Sequence, residues 1–463
     1  IPRPRFAPAK VRASMGIVED LIQERRITEV ECTVPDLSGI PRGKILPANR
    51  FLQSYDSGGL RMPEVIFAQT VTGEFPDKSD EEIVDASLGD ITLVPDPSAM
   101  FMVPWYDEPT LQVICDCVYQ SGDPVDIASR YVLKQVIQKF HAREIEPIVA
   151  PELEFYLVDI NEDPDYPLRP PHGLNGRRES GRQAYGIDAV NEFDPICEDI
   201  YDYCEVQGLD IDTLAHEAGS GQIEINFNHG EALGRADQVF VFKRTVRQSA
   251  IRRKVYATFM AKPMQNQPGS SMHIHQSLVD RSTGENLFVG ADGGDSQLML
   301  NYMAGLQKYM PTAMPLVAPN VNSYKRLVPW ADAPINVHWG RDNRTTSFRV
   351  PDSPPKSRRI ENRIAGADAN PYLAIAATLA CGLMGIEQEL EPTDPITGAA
   401  YRYAHRLPQT IQEATSRFHG SKPLRELLGD RFCKTVELVK EDEYWRYNSV
   451  ISAWEREHLL LNV

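Results

Sequence analysis

The chain has 463 residues, of which 42% are hydrophobic and 24% charged, and it has a formal net charge of −17 at pH 7. The composition is that of a folded globular protein, and the length favours two domains, or a large domain with a small one, over a single core. The acidic excess argues against a surface for nucleic acid or an anionic membrane, so we expect neither partner. The seven cysteines are scattered and predict no disulfide framework, which is typical of a cytoplasmic protein.

The first part of the chain, to about residue 120, has the pattern of a tail, a helix and a small sheet. The helix is predicted near residues 10–26, and short β-like runs broken by Pro, Gly and Asp follow it. These runs are TEVECTV, GKILPA, PEVIFAQTV, ITLVPD and LQVICDCVY. The acidic run at 77–85 is expected to be a solvated loop, and Cys115 and Cys117 are expected to pack in a strand rather than bind metal.

The pattern changes near residue 123, where apolar residues at helical spacing follow an Asp-Pro turn and predict a new domain. A long loop rich in Pro, Gly and Arg is expected at 163–182. Helices are expected near 192–207, 235–257, 297–310 and 371–389. The basic residues of the 235–257 helix are expected on a solvated face or at a subunit contact. The last helix is too short for a bilayer span and is expected to be buried, with Asn370 as its N-cap and Pro371 at its first position.

Four predicted strands have one apolar face and one face of carboxylates, imidazoles or arginines. Side chains of an extended chain alternate between faces, so Glu152 and Glu154 in PELEFYLVD share one face opposite the apolar residues. The same alternation groups Glu224 of GQIEINF with its polar neighbours, His273 with His275 and Ser277 in SMHIHQSL, and Glu361 with Arg359 and Arg363 in SRRIENRI. One such strand is typical of a solvent-exposed edge, but four indicate the inner wall of a barrel or a deeply curved sheet.

This set of side chains predicts a cation site with an anionic ligand. Neighbouring carboxylates repel one another and are costly to bury without positive charge. An oxygen-rich set with a single His among its ligands favours Mg²⁺ or Mn²⁺ over Zn²⁺. Arginines on the same strands, joined by Arg344 and Arg349 at another strand-like segment, indicate a phosphate or carboxylate ligand. The chain has no P-loop motif, and the residues alone leave phosphoryl transfer and metal-assisted hydrolysis open.

Six ordered motifs resemble those of the glutamine synthetase superfamily, and they span nearly the whole chain. The motifs are PELEF, HEAGSGQIE, GSSMHIHQSL, SYKRLVP, NRTTSFRVP and RRIENRIAGADANPYL. Within the superfamily the chain most resembles the glutamate–polyamine ligases, the group of γ-glutamylputrescine synthetase. The resemblance implies an α+β fold: a tail and helix at 1–24, an N-terminal β-grasp domain at 25–120, and a catalytic domain at 121–463 with a curved antiparallel sheet, or half-barrel, flanked by helices. It also implies a homo-oligomer, a dodecamer of two hexameric rings with active sites between subunits.

The resemblance further implies a role for each candidate site residue. One metal ion would be held by Glu154, Glu217 and Glu224, and a second, facing the nucleotide, by Glu152, His273 and Glu361. The implied ATP-binding residues are His275, Ser277, Arg344, Arg349 and Arg359. The implied glutamate-binding residues are Gly269, Arg326 and Arg363, and the implied catalytic residues are Asp332, Arg344 and Glu361.

The chain departs from the glutamine synthetases at the ammonium pocket. YDSGGLRMPEV stands where they have a D-G-S-S segment, and the loop PWADAP has Asp332 where they have Glu. We therefore expect a larger amine, putrescine or another polyamine, whose distal ammonium group needs acidic or aromatic walls. Weak candidates for these walls are Glu64, Tyr185 and Trp330, whereas Tyr401 is expected to be a surface tyrosine.

The implied reaction is ATP-dependent ligation of the γ-carboxylate of L-glutamate to an amine through γ-glutamyl phosphate, with two or more Mg²⁺ or Mn²⁺ ions per site. One alternative is a glutamine synthetase that uses ammonia, and the missing D-G-S-S segment counts against it. The other is a catalytically inactive structural relative, which should have lost metal ligands, whereas all six positions are present.

Overall fold

Two β-sheets and the helices around them make up the residues that the computed structural model describes, which are 9–76, 83, 89–404 and 406–463. The acidic run at 77–85 lies outside these residues, apart from Ile83. The strands are Glu29–Pro35 (β1), Pro41–Pro47 (β2), Arg61–Pro63 (β3), Asp90–Val103 (β4), Thr110–Val118 (β5), Ile145–Val158 (β6), Ile211–His216 (β7), Gln222–Phe227 (β8), Gly230–Glu231 (β9), Tyr256–Thr258 (β10), Met272–Asp280 (β11), Trp339–Arg341 (β12), Phe348–Val350 (β13) and Ile360–Asn362 (β14). The α-helices are Ala9–Glu24 (α1), Ala48–Ser57 (α2), Ser129–His141 (α3), Ile187–Asn191 (α4), Asp194–Gln207 (α5), Ala232–Arg252 (α6), Gln297–Tyr309 (α7), Met314–Val317 (α8), Pro371–Glu387 (α9), Ile411–His419 (α10), Lys422–Leu428 (α11), Asp430–Asn448 (α12) and Ala453–Leu459 (α13).

The first sheet is a β-grasp sheet with the order β2-β1-β5-β4-β3, in which β1 and β5 run parallel at the centre. Cys115 and Cys117 are buried in β5 as free thiols, as expected for strand packing. The prediction of a strand for PEVIFAQTV is wrong, because Glu64–Ala68 is a 3₁₀-helix. Its buried residues include Glu64 and Phe67, three positions apart, which is the 3₁₀ period.

The second sheet follows the order β12-β13-β14-β11-β6-β8-β7, with β9 and β10 also paired to β6. The described pairs are antiparallel except β12 with β13, which are parallel. The sheet curves into a half-barrel flanked by helices, which confirms the expected α+β fold. The long strand β6 lies at its centre and pairs with both β11 and β8, so it brings the polar faces of three strands together.

Helix α9 is the buried helix that its apolar sequence predicts. It packs against α7, α3 and α6, and its residues from Pro371 to Gly385 are buried. None of the described helices is both long and apolar enough to cross a membrane. Asn370 caps the helix as predicted, because its side-chain oxygen accepts a hydrogen bond from the Tyr372 amide at 3.0 Å.

Ion pairs join the first sheet to helices α3 and α6. Arg130 of α3 is 2% exposed and lies 2.8 Å from Asp237 of α6, 2.7 Å from Asp96 of β4 and 2.6 Å from Asp116 of β5. A buried guanidinium requires such partners, since an unpaired buried charge is strongly destabilising. The predicted domain boundaries at residues 25 and 121 stay predictions.

The prediction of a solvated or subunit-contact face on α6 is wrong for two of its basic residues. Lys243 is buried and donates a hydrogen bond to the carbonyl oxygen of Ala369 at 2.7 Å, and burial together with the charge of Arg247 lowers its pKa to about 7. Arg244 forms an ion pair with Glu31 of β1. These contacts lie between elements far apart in sequence, so the helix pattern alone could not reveal them.

We expect Asn370→Ala to destabilise the protein by roughly 2–4 kcal/mol, because it removes a helix cap and leaves buried polar partners unpaired. The Asn370 amide group also donates to the carbonyl oxygen of Asp36 at 2.8 Å and to the Ser129 hydroxyl at 3.0 Å. The measurement is urea unfolding at fixed protein concentration. The matched control is Thr410→Ala, which removes the N-cap of α10 alone and should cost about 1 kcal/mol. Equal losses in the two variants would contradict the linking role of Asn370.

Candidate active site

The second sheet places five of the six predicted metal ligands on one polar face. In antiparallel pairs, residues directly opposite each other point to the same face. Glu152 of β6 lies opposite His273 of β11, and Glu154 lies opposite Glu224 of β8. Glu361 of β14 lies opposite His275 on the other edge of β11.

The ligand atoms of these side chains fall into three groups, each with all atoms within 4.8 Å of one another. The groups are Glu154 with Glu217 and Glu224, Glu152 with Glu224 and His273, and Glu152 with His275 and Glu361. The first predicted trio is therefore brought together, with Glu217 supplied by the turn just after β7. In the second predicted trio, His273 Nδ1 lies 3.4 Å from a carboxylate oxygen of Glu152 and 3.7 Å from one of Glu361. His275, predicted to contact ATP, also lies 2.8 Å from Glu152.

Three carboxyl groups at this face lack enough positive charge nearby to favour their ionised forms. Burial and the charge of Glu217 raise the pKa of Glu154 to about 7, and burial and the charge of Glu154 raise the pKa of Glu224 to about 9. Burial also raises the pKa of Glu217. Carboxyl groups in this condition fit a divalent cation, because a bound cation would supply the charge that their ionised forms lack.

The other two carboxylates have hydrogen-bonding or cationic partners within the chain. Burial opposes the ionisation of Glu152, but hydrogen bonds from His273 and His275 outweigh it and lower its pKa. Burial also opposes the ionisation of Glu361, and the charges of Arg363 and His275 outweigh it and lower its pKa to about 2. His273 itself is buried beside Arg363, which lowers its pKa to about 4 and keeps the imidazole neutral, as a metal ligand must be.

Three guanidinium groups at the site carry unused hydrogen-bond donors. The Nε atoms of Arg326, Arg349 and Arg363 are buried and have no hydrogen-bond partner among the described residues. An unpaired buried donor costs free energy, so these groups fit a ligand that supplies anionic oxygens. Arg349 and Arg363 also form ion pairs with Glu361, and the Arg349 pair spans 2.9 Å.

Two cavities meet at this face of the sheet. The larger cavity, of about 410 Å³, is lined by carboxylates of the metal-ligand groups, by arginines and by Gly269. These residues include Glu154, Glu217, Glu224, Gly269, Arg326, Arg344, Arg349 and Arg363. The smaller, of about 320 Å³, is lined by His275, Ser277, Arg359 and Lys356 among others. Glu152 and Asn226 line both cavities, so they mark where the two meet.

Gly269 is needed because the arginine beside it leaves no room for a side chain. A Cβ atom at this position would lie 2.6 Å from the carbonyl oxygen of Ala261 and would overlap the side chain of Arg326. The Arg326 guanidinium is held by a hydrogen bond to the carbonyl oxygen of Ile364. The glycine therefore positions a buried cation against the larger cavity.

The candidate amine-binding residues are not all brought together. Tyr185 and Asp332 line the larger cavity, and Trp330 packs on Tyr401, which lines it too. Tyr401 is thus a wall residue rather than only a surface tyrosine. Glu64 lies elsewhere, buried in the 3₁₀-helix of the first sheet, 2.6 Å from the Tyr119 hydroxyl and 2.7 Å from Arg431.

Two polar residues that support the site were not predicted as site residues. The Ser271 hydroxyl and amide donate to the Glu154 carboxylate at 2.6 and 2.9 Å. The Gln222 amide donates to Glu154 at 3.2 Å and to the carbonyl oxygen of Gly269 at 3.0 Å. Gln222 shares the polar face of β8 with Glu224, so strand alternation gave a usable signal for it.

Comparison with known proteins shows the family of the chain. The glutamine synthetase catalytic domain matches residues 126–459. The chain belongs to the glutamine synthetase family. γ-Glutamylputrescine synthetase PuuA of Escherichia coli (strain K12) is 36% identical over 444 residues, which are 94% of this chain and 92% of that protein. Glutamate–isopropylamine ligase of a Pseudomonas species is 33% identical over 449 residues, 95% of this chain and 96% of the relative.

A glutamine synthetase of Halobacterium salinarum is 30% identical over 459 residues, 96% of each chain. Among solved structures, a GmaS/ADP complex superposes with a TM-score of 0.83 at 27% identity, covering 96% of this chain and 99% of that chain. Enzymes of the glutamine synthetase family use ATP and divalent metal ions. The buried carboxylate groups described above fit such ions.

We expect Mg²⁺ to bind this protein more tightly, with proton release, as pH rises from 7 to 9, the interval between the pKa values of Glu154 and Glu224. A carboxyl group whose pKa is raised on folding stabilises the fold below its unfolded pKa and loses that contribution as pH rises through the folded pKa. Glu224→Gln should therefore weaken Mg²⁺ binding by about tenfold or more and make the metal-free protein more stable than wild type at the upper end of this range.

The measurements are titration calorimetry in buffers of different ionisation enthalpy and thermal unfolding in EDTA. The matched control is Glu146→Gln on β6 of the same sheet, whose carboxylate pairs with His141 at 2.8 Å and does not line either cavity. Proton release that is unchanged in Glu224→Gln would contradict the assignment of the raised pKa to this group.

Proposed function

We propose that this protein is an ATP-dependent ligase that joins the γ-carboxylate of L-glutamate to an amine through γ-glutamyl phosphate, releasing ADP and phosphate. The observation that carries the proposal is the meeting of two cavities at Glu152, beside the carboxylate face and the guanidinium groups whose Nε atoms have no partner among the described residues. A phosphoryl donor in one cavity and a carboxylate in the other would meet there. The similarity to a γ-glutamylputrescine synthetase and a glutamate–isopropylamine ligase supports this reading.

The smaller cavity is proposed to hold ATP, with His275, Ser277 and Arg359 on its walls. The larger cavity is proposed to hold glutamate, with its α-carboxylate on Arg326 beside Gly269 and its γ-carboxylate on Arg363. Arg344 and Arg349 line this cavity as well, and they would contact the phosphoryl group as it is transferred.

A carboxylate is a poor electrophile, since it has no leaving group. Transfer of the γ-phosphoryl group of ATP to the glutamate carboxylate forms an acyl phosphate, but it brings two anions together. The arginines of this site lower that repulsion because they are held in place before the reaction. Two Mg²⁺ or Mn²⁺ ions, held by Glu154, Glu217 and Glu224 and by Glu152, His273 and Glu361, would supply further positive charge there.

The amine completes the reaction in the larger cavity. A primary alkylamine is protonated at neutral pH and must lose a proton before it can attack. Asp332 is exposed on the wall of this cavity, where its carboxylate can accept that proton. The neutral amine then attacks the acyl carbon, the carbon–oxygen bond to phosphate breaks, and the amide forms as its nitrogen gives up one proton, which the departing phosphate can accept. Glu361 is proposed to orient Arg349 and Arg363 through its ion pairs.

We further propose putrescine or another polyamine as the amine, and a homo-oligomer, a dodecamer of two hexameric rings, as the assembly. Glu64 is 3% exposed and paired with Arg431, so its place in the fold supports a structural role rather than contact with an amine in its own chain.

The deciding experiment measures phosphate release from ATP, Mg²⁺ and glutamate with ammonium, putrescine, cadaverine, spermidine, spermine, ethanolamine or no amine. We expect stimulation by polyamines and not by ammonium. Stimulation by ammonium alone would instead establish a glutamine synthetase, and no phosphate release with any amine would favour an inactive relative.

Glu154→Ala should abolish the reaction while leaving the fold intact, and retained turnover in this variant would contradict the assignment of Glu154 as a metal ligand.

We expect Asp332→Ala to impair the amine step chiefly, lowering kcat or raising the KM for the amine by roughly 10²–10⁴-fold in kcat/KM, the usual contribution of general base catalysis. Its KM values for ATP and glutamate should be close to those of the wild type. The matched control is Asp352→Ala, an exposed aspartate that lines neither cavity. Unchanged amine kinetics would remove Asp332 from the mechanism.

A further inference from the structure

Two aromatic side chains from distant parts of the chain pack against each other at the larger cavity. The rings of Trp330 and Tyr401 have centroids 4.9 Å apart and planes inclined by 50°. Tyr401 lines the cavity, and so do the three residues that follow Trp330, namely Ala331, Asp332 and Ala333. Trp330 itself is 69% exposed, so most of its ring is free to contact a ligand at the cavity mouth.

The backbone of this loop is held in an unfavourable conformation. Trp330 and Asp332 have φ values of +61° and +56°, in the left-handed region that side chains other than glycine rarely adopt. Among the described residues, the aromatic residues with such a backbone are Trp330 and Tyr185, and Tyr185 lines the same cavity. Strained conformations of this kind persist where the surrounding structure imposes them, and they concentrate at ligand-binding sites.

Asp332 places a negative charge beside the aromatic pair, and the positive charge of Arg363 also acts on Tyr401. Asp332 lies on the same wall as Tyr401, and burial together with the Asp332 charge raises the pKa of the Tyr401 hydroxyl, which therefore stays neutral. An aromatic face next to a carboxylate attracts an organic cation, since the ring quadrupole and the carboxylate both favour positive charge. The methylene groups of an alkylammonium ion would also lose contact with water against the rings.

We propose that Trp330, Tyr401 and Asp332 form the binding site for the alkylammonium form of the amine substrate and make the enzyme select alkylamines over ammonia. The proposal rests on the ligase function. The two rings hold the alkyl chain of the cation, and the Asp332 carboxylate accepts its proton to release the neutral amine for attack. Ammonium has no alkyl chain and gains nothing from the ring contacts with methylene groups.

The test uses the full-length enzyme with four variants: Trp330→Ala, Tyr401→Ala, Tyr401→Phe and Tyr403→Ala. Tyr403 is the matched control, because it lies two residues from Tyr401, stacks on His338 at 4.5 Å, and does not line the cavity. Each enzyme is assayed for kcat and KM with putrescine, n-butylamine, ammonium and hydroxylamine. Hydroxylamine is a small nucleophile that is largely neutral at pH 7 and reports acyl phosphate formation without an alkylammonium site.

Trp330→Ala and Tyr401→Ala should each raise the KM for putrescine and butylamine by about tenfold, the effect of losing one cation–π contact in a partly desolvated site. Their rates with hydroxylamine and their KM for glutamate should change far less than their KM for the alkylamines. Tyr401→Phe keeps the ring and should restore most of the affinity, and Tyr403→Ala should leave every constant unchanged.

Two results would overturn the proposal: unchanged alkylamine KM values in both alanine variants, or an equal loss with hydroxylamine, which would mean that the pair only supports the loop. Failure of the ligase function would look different, because the wild-type enzyme itself would form no product with hydroxylamine or any amine.

Discussion

The crowding of buried carboxylates on one face of a curved sheet is the constraint on which the rest of the structure depends. Glu154, Glu217 and Glu224 have ligand atoms within 4.8 Å of one another and pKa values raised by burial. Such an arrangement disfavours the ionised carboxylates, and bound cations would relieve their mutual repulsion. The long central strand β6 makes it unavoidable, because β6 pairs on one side with β8 and on the other with β11.

The arginines are placed so that they serve ligands as well as these carboxylates. Arg349 and Arg363 share Glu361, yet each keeps a buried Nε group without a partner among the described residues. Full pairing within the chain would have made the fold more stable and the site less able to bind an anion. The site thus retains unsatisfied charge of both signs in two joined cavities, and a reaction between two anionic substrates needs this property.

The scaffold around the site compensates through contacts that need no ligand. Arg130 is enclosed by three aspartates of β4, β5 and α6, and Asn370 links α9 to the first sheet and to α3. The buried helix α9 packs behind these contacts and contributes apolar area to the core. A well-packed frame of this kind can hold both the carboxylate face and the left-handed loop at Trp330 and Asp332 in place.

Strand alternation is a local property of the chain, and it was enough to identify the polar faces that carry Glu152, Glu154, Glu224, His273 and Glu361, while the order of motifs was enough to identify the family. The cap at Asn370 and the burial of α9 are local as well. The register between strands and the positions of the loops are not local properties, since they depend on which strands pair and on the packing of distant segments. Only the tertiary structure therefore decides that His275 lies beside Glu152 and Glu361, and that Glu64 pairs with Arg431 away from the site. It also decides that Lys243 is buried and that Trp330 packs on Tyr401.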